Sequence, residues 1–183
     1  MRLTTSHKRL LLKIAGDSIA SAVRTERSPA VPPDLTVPAL QLKCGVFVSV
    51  YVDGRLRGCL GTFSEEEPLW QNVQRLAASA ATADTRFSPL MPEELGSMRI
   101  EISVLSPHKR ITDIREIKLG KHGIYLQKGL NRGTFLPQVA PSQQWDVYEF
   151  LGNCAKYKAG IGWEGWKTAE IYIFEAIIFN SED

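Results

Sequence analysis

The sequence predicts an α+β fold: a mainly antiparallel sheet with flanking helices, in which a hairpin–helix–strand unit occurs twice. Three observations carry that prediction. Asp53-Gly54 lies between two runs of strand character, GVFVSVYV at Gly45–Val52 and LRGCLGTF at Leu56–Phe63, and Asp-Gly in that position is a strong hairpin signal. Over residues 6–25, Leu11, Ile14, Ala15, Ile19, Ala22 and Val23 recur at three- and four-residue steps, the period of an amphipathic helix. Three markers also recur: Gly61-Thr62-Phe63 as Gly133-Thr134-Phe135 at an offset of 72, Trp70 as Trp145 at 75, and Glu101 as Glu175 at 74. A period near 70 in two copies is too long for a solenoid and reads as a duplication.

The elements follow in order. Thr4, Thr5 or Ser6 can cap the first helix. Pro29, Pro32, Pro33 and Pro38 then make residues 28–38 an extended connector. After the first hairpin, Glu65-Glu66-Glu67-Pro68 opens a helix over about 69–83: proline suits a first turn, and carboxylates suit the positive helix end. RIEISVLS, ending before Pro107, is a strand. The second half repeats the plan with strands at 123–127 and 133–137, a helix at 146–158 and a closing strand at 170–179. The chain thus reads as one domain, 1–183, of two lobes at about 40–107 and 120–180, preceded by the helix and the connector.

Composition narrows the class. At 183 residues, 44 % hydrophobic and 23 % charged, the chain is an ordinary globular domain, neither collagenous, disordered nor membrane-spanning. Its 22 Lys+Arg nearly balance 20 Asp+Glu, and no basic stripe of the kind nucleic-acid binders carry is present. Cys44, Cys59 and Cys154 show no C-x-x-C spacing, and His7, His108 and His122 are scattered, so no zinc pattern emerges. Three thiols without a framework suit a reducing, cytoplasmic setting. Leu10–Leu12 ends at Lys13, too short for a secretory segment. No P-loop, dinucleotide fingerprint or serine-hydrolase signature appears, so no cofactor is implied.

Cys59 is the leading candidate for chemistry. Gly58 and Gly61 flank it, and glycine inside a strand marks a bulge or a close approach of ligand or backbone. Arg57, two residues away on the same strand face, would favour the thiolate, the reactive form. The alternative is a buried cysteine serving as a small hydrophobe. A two-residue turn at Asp53-Gly54 would pair Val52 with Arg55 and Val48 with Cys59. Cys44 would then lie four positions along the same face, too far for a disulfide. A base for Cys59 would have to be His122 or His108, though neither is linked to it by spacing. Asp84 and Arg86 in DTRFSP either bind an anionic or polar ligand or form an ion pair in a helix-ending turn. Trp163 and Trp166 either offer a stacking platform or pin an irregular loop.

Six segments taken together carry a resemblance: LRGCLGTF (Leu56–Phe63), DTRFSPL (Asp84–Leu90), RIEISVLSP (Arg99–Pro107), HGIYL (His122–Leu126), GTFLPQVA (Gly133–Ala140) and KAGIGWEGW (Lys158–Trp166). Their order resembles that of the AMMECR domain family over nearly the whole chain, and most of all its bacterial and archaeal branch, AmmeMemoRadiSam system protein A. The resemblance implies an α+β fold with a barrel-like antiparallel sheet and a duplicated strand–helix unit. It also implies a system shared with a Memo-like protein and a radical SAM protein. The R-G-C-x-G-T signature maps onto Arg57, Gly58, Cys59, Gly61 and Thr62, and D-x-R-F onto Asp84, Arg86 and Phe87; the histidines belong to neither. The chain departs from the family pattern at Asn153–Tyr157, which is one residue longer before Lys158-Ala159-Gly160.

The expected function is therefore an accessory component that binds a partner or a small substrate in a cleft at Arg57, Cys59, Asp84 and Arg86, with Gly58, Gly61 and Thr62 shaping it. The alternatives are an enzyme using Cys59 as nucleophile or covalent carrier with Arg57 beside it, and a nucleic-acid-binding or regulatory protein.

Overall fold

The computed structural model describes residues 3–26, 29 and 37–182. The connector expected at 28–38 lies outside the described residues except at Pro29, Val37 and Pro38. The fold is α+β with antiparallel strand pairing, and it divides into two compact units, Met1–Leu105 with Ile177–Asp183, and Ser106–Ala176. The N-terminal helix and the last residues of the chain both belong to the first unit.

In the first unit, helix α1 (Thr5–Val23) begins at a capping box, in which the Thr4 hydroxyl accepts the His7 N–H and the His7 ring accepts the Thr4 N–H. Strands β1 (Val46–Val52) and β2 (Arg55–Thr62) form the expected hairpin. Asp53 and Gly54 both take positive φ, 49° and 73°, as a two-residue turn matched to strand twist requires. Helix α2 (Leu69–Thr82) follows, with Pro68 at its N-cap, and then strand β3 (Met98–Leu105). Alternation decides what is buried. Val46, Val48, Val50 and Val52 of β1 face a core shared with Leu11, Ile14 and Ile19 of α1 and Leu69, Val73 and Leu76 of α2. Phe47, Ser49 and Tyr51 take the opposite sheet face.

The second unit contains a three-residue strand β4 (Lys109–Ile111), hairpin strands β5 (His122–Lys128) and β6 (Asn131–Phe135), and helices α3 (Val139–Gln143) and α4 (Val147–Asn153). It closes with β7 (Glu170–Asn180), whose last residues serve the first unit. The sequence reading contains neither β4 nor α3, both too short to set up a period. Asp146 caps α4 by a capping box with Glu149. The helix then runs on through Cys154–Lys158 as a π turn, with the Ala159 N–H donating to the Cys154 carbonyl at 2.9 Å. A π turn absorbs one additional residue in an α-helix. Ile124, Leu126, Phe150, Leu151, Cys154 and Ile173 centre this unit's own core.

The duplication shows as repeated wiring. The strand order is β2-β1-β3 in one unit and β6-β5-β7 in the other, each with a helix between the return strand and the closing strand. The equivalent glycines differ from the sequence markers. Gly58 stands opposite Val50, and Gly133 opposite Leu126, each partner two residues before the end of its strand. Gly61 stands opposite Phe47, nearer the other end. Both equivalent glycines admit helical backbone: a Cβ on Gly58 would lie 1.9 Å from the Ala80 carbonyl oxygen, and one on Gly133 would lie 2.6 Å from the Ala159 nitrogen. Glu101 pairs with Ser49 at mid-strand and Glu175 with His122 at a strand start, so these two are not equivalent either.

Candidate functional site

The hairpin contains a β-bulge at Val50/Tyr51, which places Cys59 opposite Ser49. The two-residue turn alone predicts pairing with Val48, and that expectation is corrected. A shift of one residue transfers a side chain to the other sheet face. The bulge therefore turns Cys59 away from the valine core, onto the face of Ser49 and Tyr51, where it is half-buried. The Ser49 hydroxyl donates to Cys59 Sγ at 3.2 Å. The Cys59 N–H points away from β1, so Ser49 and Cys59 form a pair without mutual backbone bonds, the kind whose side chains approach closest.

Strand β2 is the sheet edge, and the DTRF loop seals it at Cys59. The Asp84 carboxylate accepts the Cys59 N–H at 2.9 Å, and Arg86 Nη2 donates to the Cys59 carbonyl at 2.7 Å. Arg86 also grips both carboxylate oxygens of Asp84 at 2.9 and 2.7 Å. Two side chains thus make the bonds that a neighbouring strand would make, at a point where open backbone groups invite other chains. Asp84 is 3 % exposed and Arg86 60 % at the side chain. The carboxyl group is held well below the usual carboxylate range, first by the Arg86 guanidinium and further by the backbone N–H groups of Cys59 and Arg86, against the opposing effect of burial. Arg86 is shifted up by the same contact, with a smaller contribution from Cys59.

Arg57 serves a different partner from the expected one. Its Nε and Nη2 bind the two Glu94 oxygens at 2.9 and 3.0 Å, and its Nη1 reaches the Ser88 carbonyl at 3.2 Å. The pairing raises Arg57 and lowers Glu94. The cation that contacts Cys59 is Arg86, donating to its backbone carbonyl. Arg57, Cys59, Asp84, Arg86 and Ser88 are joined into one assembly, so the two sequence signatures meet in space. Gly61 lies beneath the Phe47 ring, where a Cβ would come within 2.2 Å of it. The Thr62 hydroxyl accepts the Ser64 N–H.

Sequence reasoning missed Ser49, Tyr51, Glu94, Arg99 and Glu101. Arg99 stacks on the Tyr51 ring at 4.2 Å and pairs with Glu101 at 3.4 Å. Burial, followed by the Glu101 charge, shifts the Tyr51 phenol upward, and the Arg99 guanidinium stacked on the ring opposes that shift. Alternation along β1 was the signal available for Ser49 and Tyr51.

The other candidates resolve as follows. Cys44 and Cys154 are buried, and burial pushes their thiols up to about 11 and about 12. Among the described residues of the first unit, His7 is the only histidine, and it is committed to the helix cap. In the second unit, the His122 ring accepts the Lys118 N–H at 3.2 Å, and His108 packs 5.2 Å from the Tyr125 ring centre. Trp166 is buried beside Tyr148, and Trp163 lies flat on Gly152. Glu67 of the acidic triplet pairs with Arg75. A cavity of about 340 Å³ in the first unit lies between α1 and α2, lined by Ser18, Ser21, Gln74 and Ser79 among others; none of the motif residues lines it. Among the described residues no group of three or more His, Cys, Asp or Glu could hold a metal, and no helix is long and apolar enough to cross a membrane.

With this geometry in view, known proteins give a consistent comparison. Protein MK0488 of Methanopyrus kandleri is 35 % identical, covering 100 % of this chain and 92 % of its own length. Protein NEQ441 of Nanoarchaeum equitans is 38 % identical over 82 % of this chain and 88 % of its own. The crystal structure of uncharacterized protein PH0010 from Pyrococcus horikoshii superposes with a TM-score of 0.84 at 34 % identity, over 94 % of this chain and 90 % of that one. The AMMECR1 family profile matches residues 12–179, a span that includes both signatures and both hairpins, and the chain therefore belongs to the AMMECR1 family.

Proposed function

We propose that the protein is an accessory, binding component of a cytoplasmic system containing a Memo-like protein and a radical SAM protein. The face around Arg57–Thr62 is where it meets its partner or a small substrate. The observation that supports binding over catalysis is the saturation of the charged groups at the site. Asp84 is bound by Arg86 and by the Cys59 N–H, and Arg57 is bound by Glu94, so neither carboxylate stands free to take a proton from the thiol. An assembly of this kind fixes the shape of a surface.

The test is sedimentation and calorimetric titration of the chain with the Memo-like and radical SAM proteins of its own source. The expected result is a complex that survives Cys59→Ser and is lost in Cys59→Arg, which puts a long cation on the face. No complex under any condition, substrate included, ends this reading.

A second reading is favoured by one contact, the Ser49 hydroxyl aimed at Cys59 Sγ. It makes Cys59 a nucleophile or covalent carrier, with Arg86 rather than Arg57 as the adjacent cation. Full activity of Cys59→Ser in a reconstituted system would remove it. A nucleic-acid role finds no support in the near-balance of charge.

A further inference from the structure

The two outer strands, β2 in the first unit and β6 in the second, are finished differently. At β2 the Asp84 and Arg86 side chains take the outward N–H and C=O of Cys59. The β5–β6 hairpin turns on two residues, Gly129 and Leu130, with Gly129 at φ 61°. The flanking pair Lys128–Asn131 therefore exchanges both backbone bonds. The register runs on without a bulge, and alternation turns the N–H and C=O groups of Arg132 and Thr134 away from β5. Among the described residues no loop backbone and no side chain takes these four groups. An open row of this kind is a template for one more strand.

The charges around that edge are also one-sided. Ser106–Ala176 carries 10 Lys+Arg against 7 Asp+Glu. Lys109, Arg110, Arg115, Lys121 and Lys167 each pair with a carboxylate. The two carboxylates left over, Asp146 and Glu149, form the α4 capping box. Five cations remain without a carboxylate, and four of them flank β6: Lys128 and Arg132 in its hairpin, Lys156 and Lys158 in the π turn. That turn packs on the strand, where a Cβ on Gly133 would lie 2.9 Å from the Lys158 Cβ. The geometry points to the β6 edge as a docking site for an extended, acidic segment of a partner protein, which adds to the sheet as a strand. Main-chain bonds to Arg132 and Thr134 hold the segment, and its carboxylates neutralise the four cations. A second copy of this chain is the wrong occupant, because β6 paired with its own copy would set Arg132 and Lys158 against like charges. The site is separate from the Cys59 face and does not depend on the proposed function.

The experiment titrates the full chain, at low salt, with a fluorescein-labelled peptide of alternating Glu and Thr, and repeats the titration with Lys in place of Glu. Anisotropy reads the binding, and amide hydrogen exchange followed by NMR reads its place. The expected result is saturable binding of the Glu peptide alone, weakened by added salt, with exchange at Arg132 and Thr134 slowed about tenfold or more. N-methylation of alternate peptide residues should abolish binding in one phase and spare it in the other, because an added strand bonds through every second residue. Lys156→Glu combined with Lys158→Glu should weaken binding about tenfold, while Cys59→Arg should leave it unchanged. No binding, equal binding of the Lys peptide, an equal effect of both N-methylated phases, or exchange slowed elsewhere but not at Arg132 and Thr134 overturns the inference. So does a dimer that slows the same two amides without peptide, which makes a second copy the occupant.

Discussion

Asp84 accepts the backbone N–H of Cys59 at 2.9 Å from a carboxylate that is itself almost fully buried. A residue at the end of α2 thereby closes the edge of β2, and the two signatures depend on each other. Asp84→Ala should lower stability by about 3 kcal/mol, since it removes a buried charged acceptor from four N–H donors on Cys59 and Arg86. Asp84→Asn should cost less, because an amide oxygen can still accept the Cys59 N–H. Urea denaturation of both variants, with Arg86→Gln for comparison, reads the difference.

The same carboxylate sets an acid limit. Its folded pKa lies below its unfolded value of about 3.9, so its stabilising effect is present in full above the unfolded pKa and is lost as pH falls through the folded one. Glu94 acts in the same direction. The urea midpoint should be flat with respect to these groups above about pH 5 and should fall below about pH 4. Asp84→Asn should flatten that fall.

Arg57 binds Glu94 with two parallel hydrogen bonds and the Ser88 carbonyl with a third. Both side chains are partly exposed, at 21 % and 25 %, so Arg57→Ala should cost only about 1–2 kcal/mol. Arg57→Lys should not recover it, since an ammonium cannot reproduce the planar fork. Thermal denaturation of the two variants against the parent checks both statements.

Gly58 and Gly133 meet helical backbone where a Cβ would sit, so Gly58→Ala and Gly133→Ala should each lose about 3 kcal/mol or more. Gly61→Ala meets the Phe47 ring instead. The double variant Gly61→Ala with Phe47→Leu should recover much of the loss, and no such rescue exists for Gly58. Circular dichroism melts of the four proteins decide.

Thiol accessibility follows burial. Native protein should give one fast-reacting thiol with a chromogenic disulfide reagent, and unfolded protein three. Above the ordinary cysteine pKa of about 8.5, unfolded Cys44 and Cys154 ionise while the folded thiols, pushed up to about 11 and about 12, stay neutral. Their contribution is present in full below the unfolded pKa and lost as pH rises toward those values. Cys44→Ala with Cys154→Ala should soften that alkaline decline in the urea midpoint.

Much of this was legible beforehand, and the exceptions have physical causes. Asp53-Gly54, the strand character of Gly45–Val52 and the period of the first helix each act locally, and local rules find them. The bulge at Val50/Tyr51 does not follow from the turn, since Val52↔Arg55 pairs as expected and the slip comes afterwards. Ser49 consequently escaped notice as the neighbour of Cys59. Arg57's partner was hidden because Glu94 is 37 residues away, joined by tertiary packing alone. The repeat was recognised, but through Gly61 rather than Gly58, because similarity of letters does not report which glycine lies under a helix.

The first unit is discontinuous in sequence: its last segment, Ile177–Asp183, lies on the far side of the whole second unit. During synthesis every residue of Ser106–Ala176 is therefore made before the strand residues that complete the first sheet. Completing the first sheet therefore takes a pairing of long sequence separation, made across the whole of the second unit's sequence. A truncation of the final seven residues would leave the second unit's sequence whole and would strike the unit that carries Cys59.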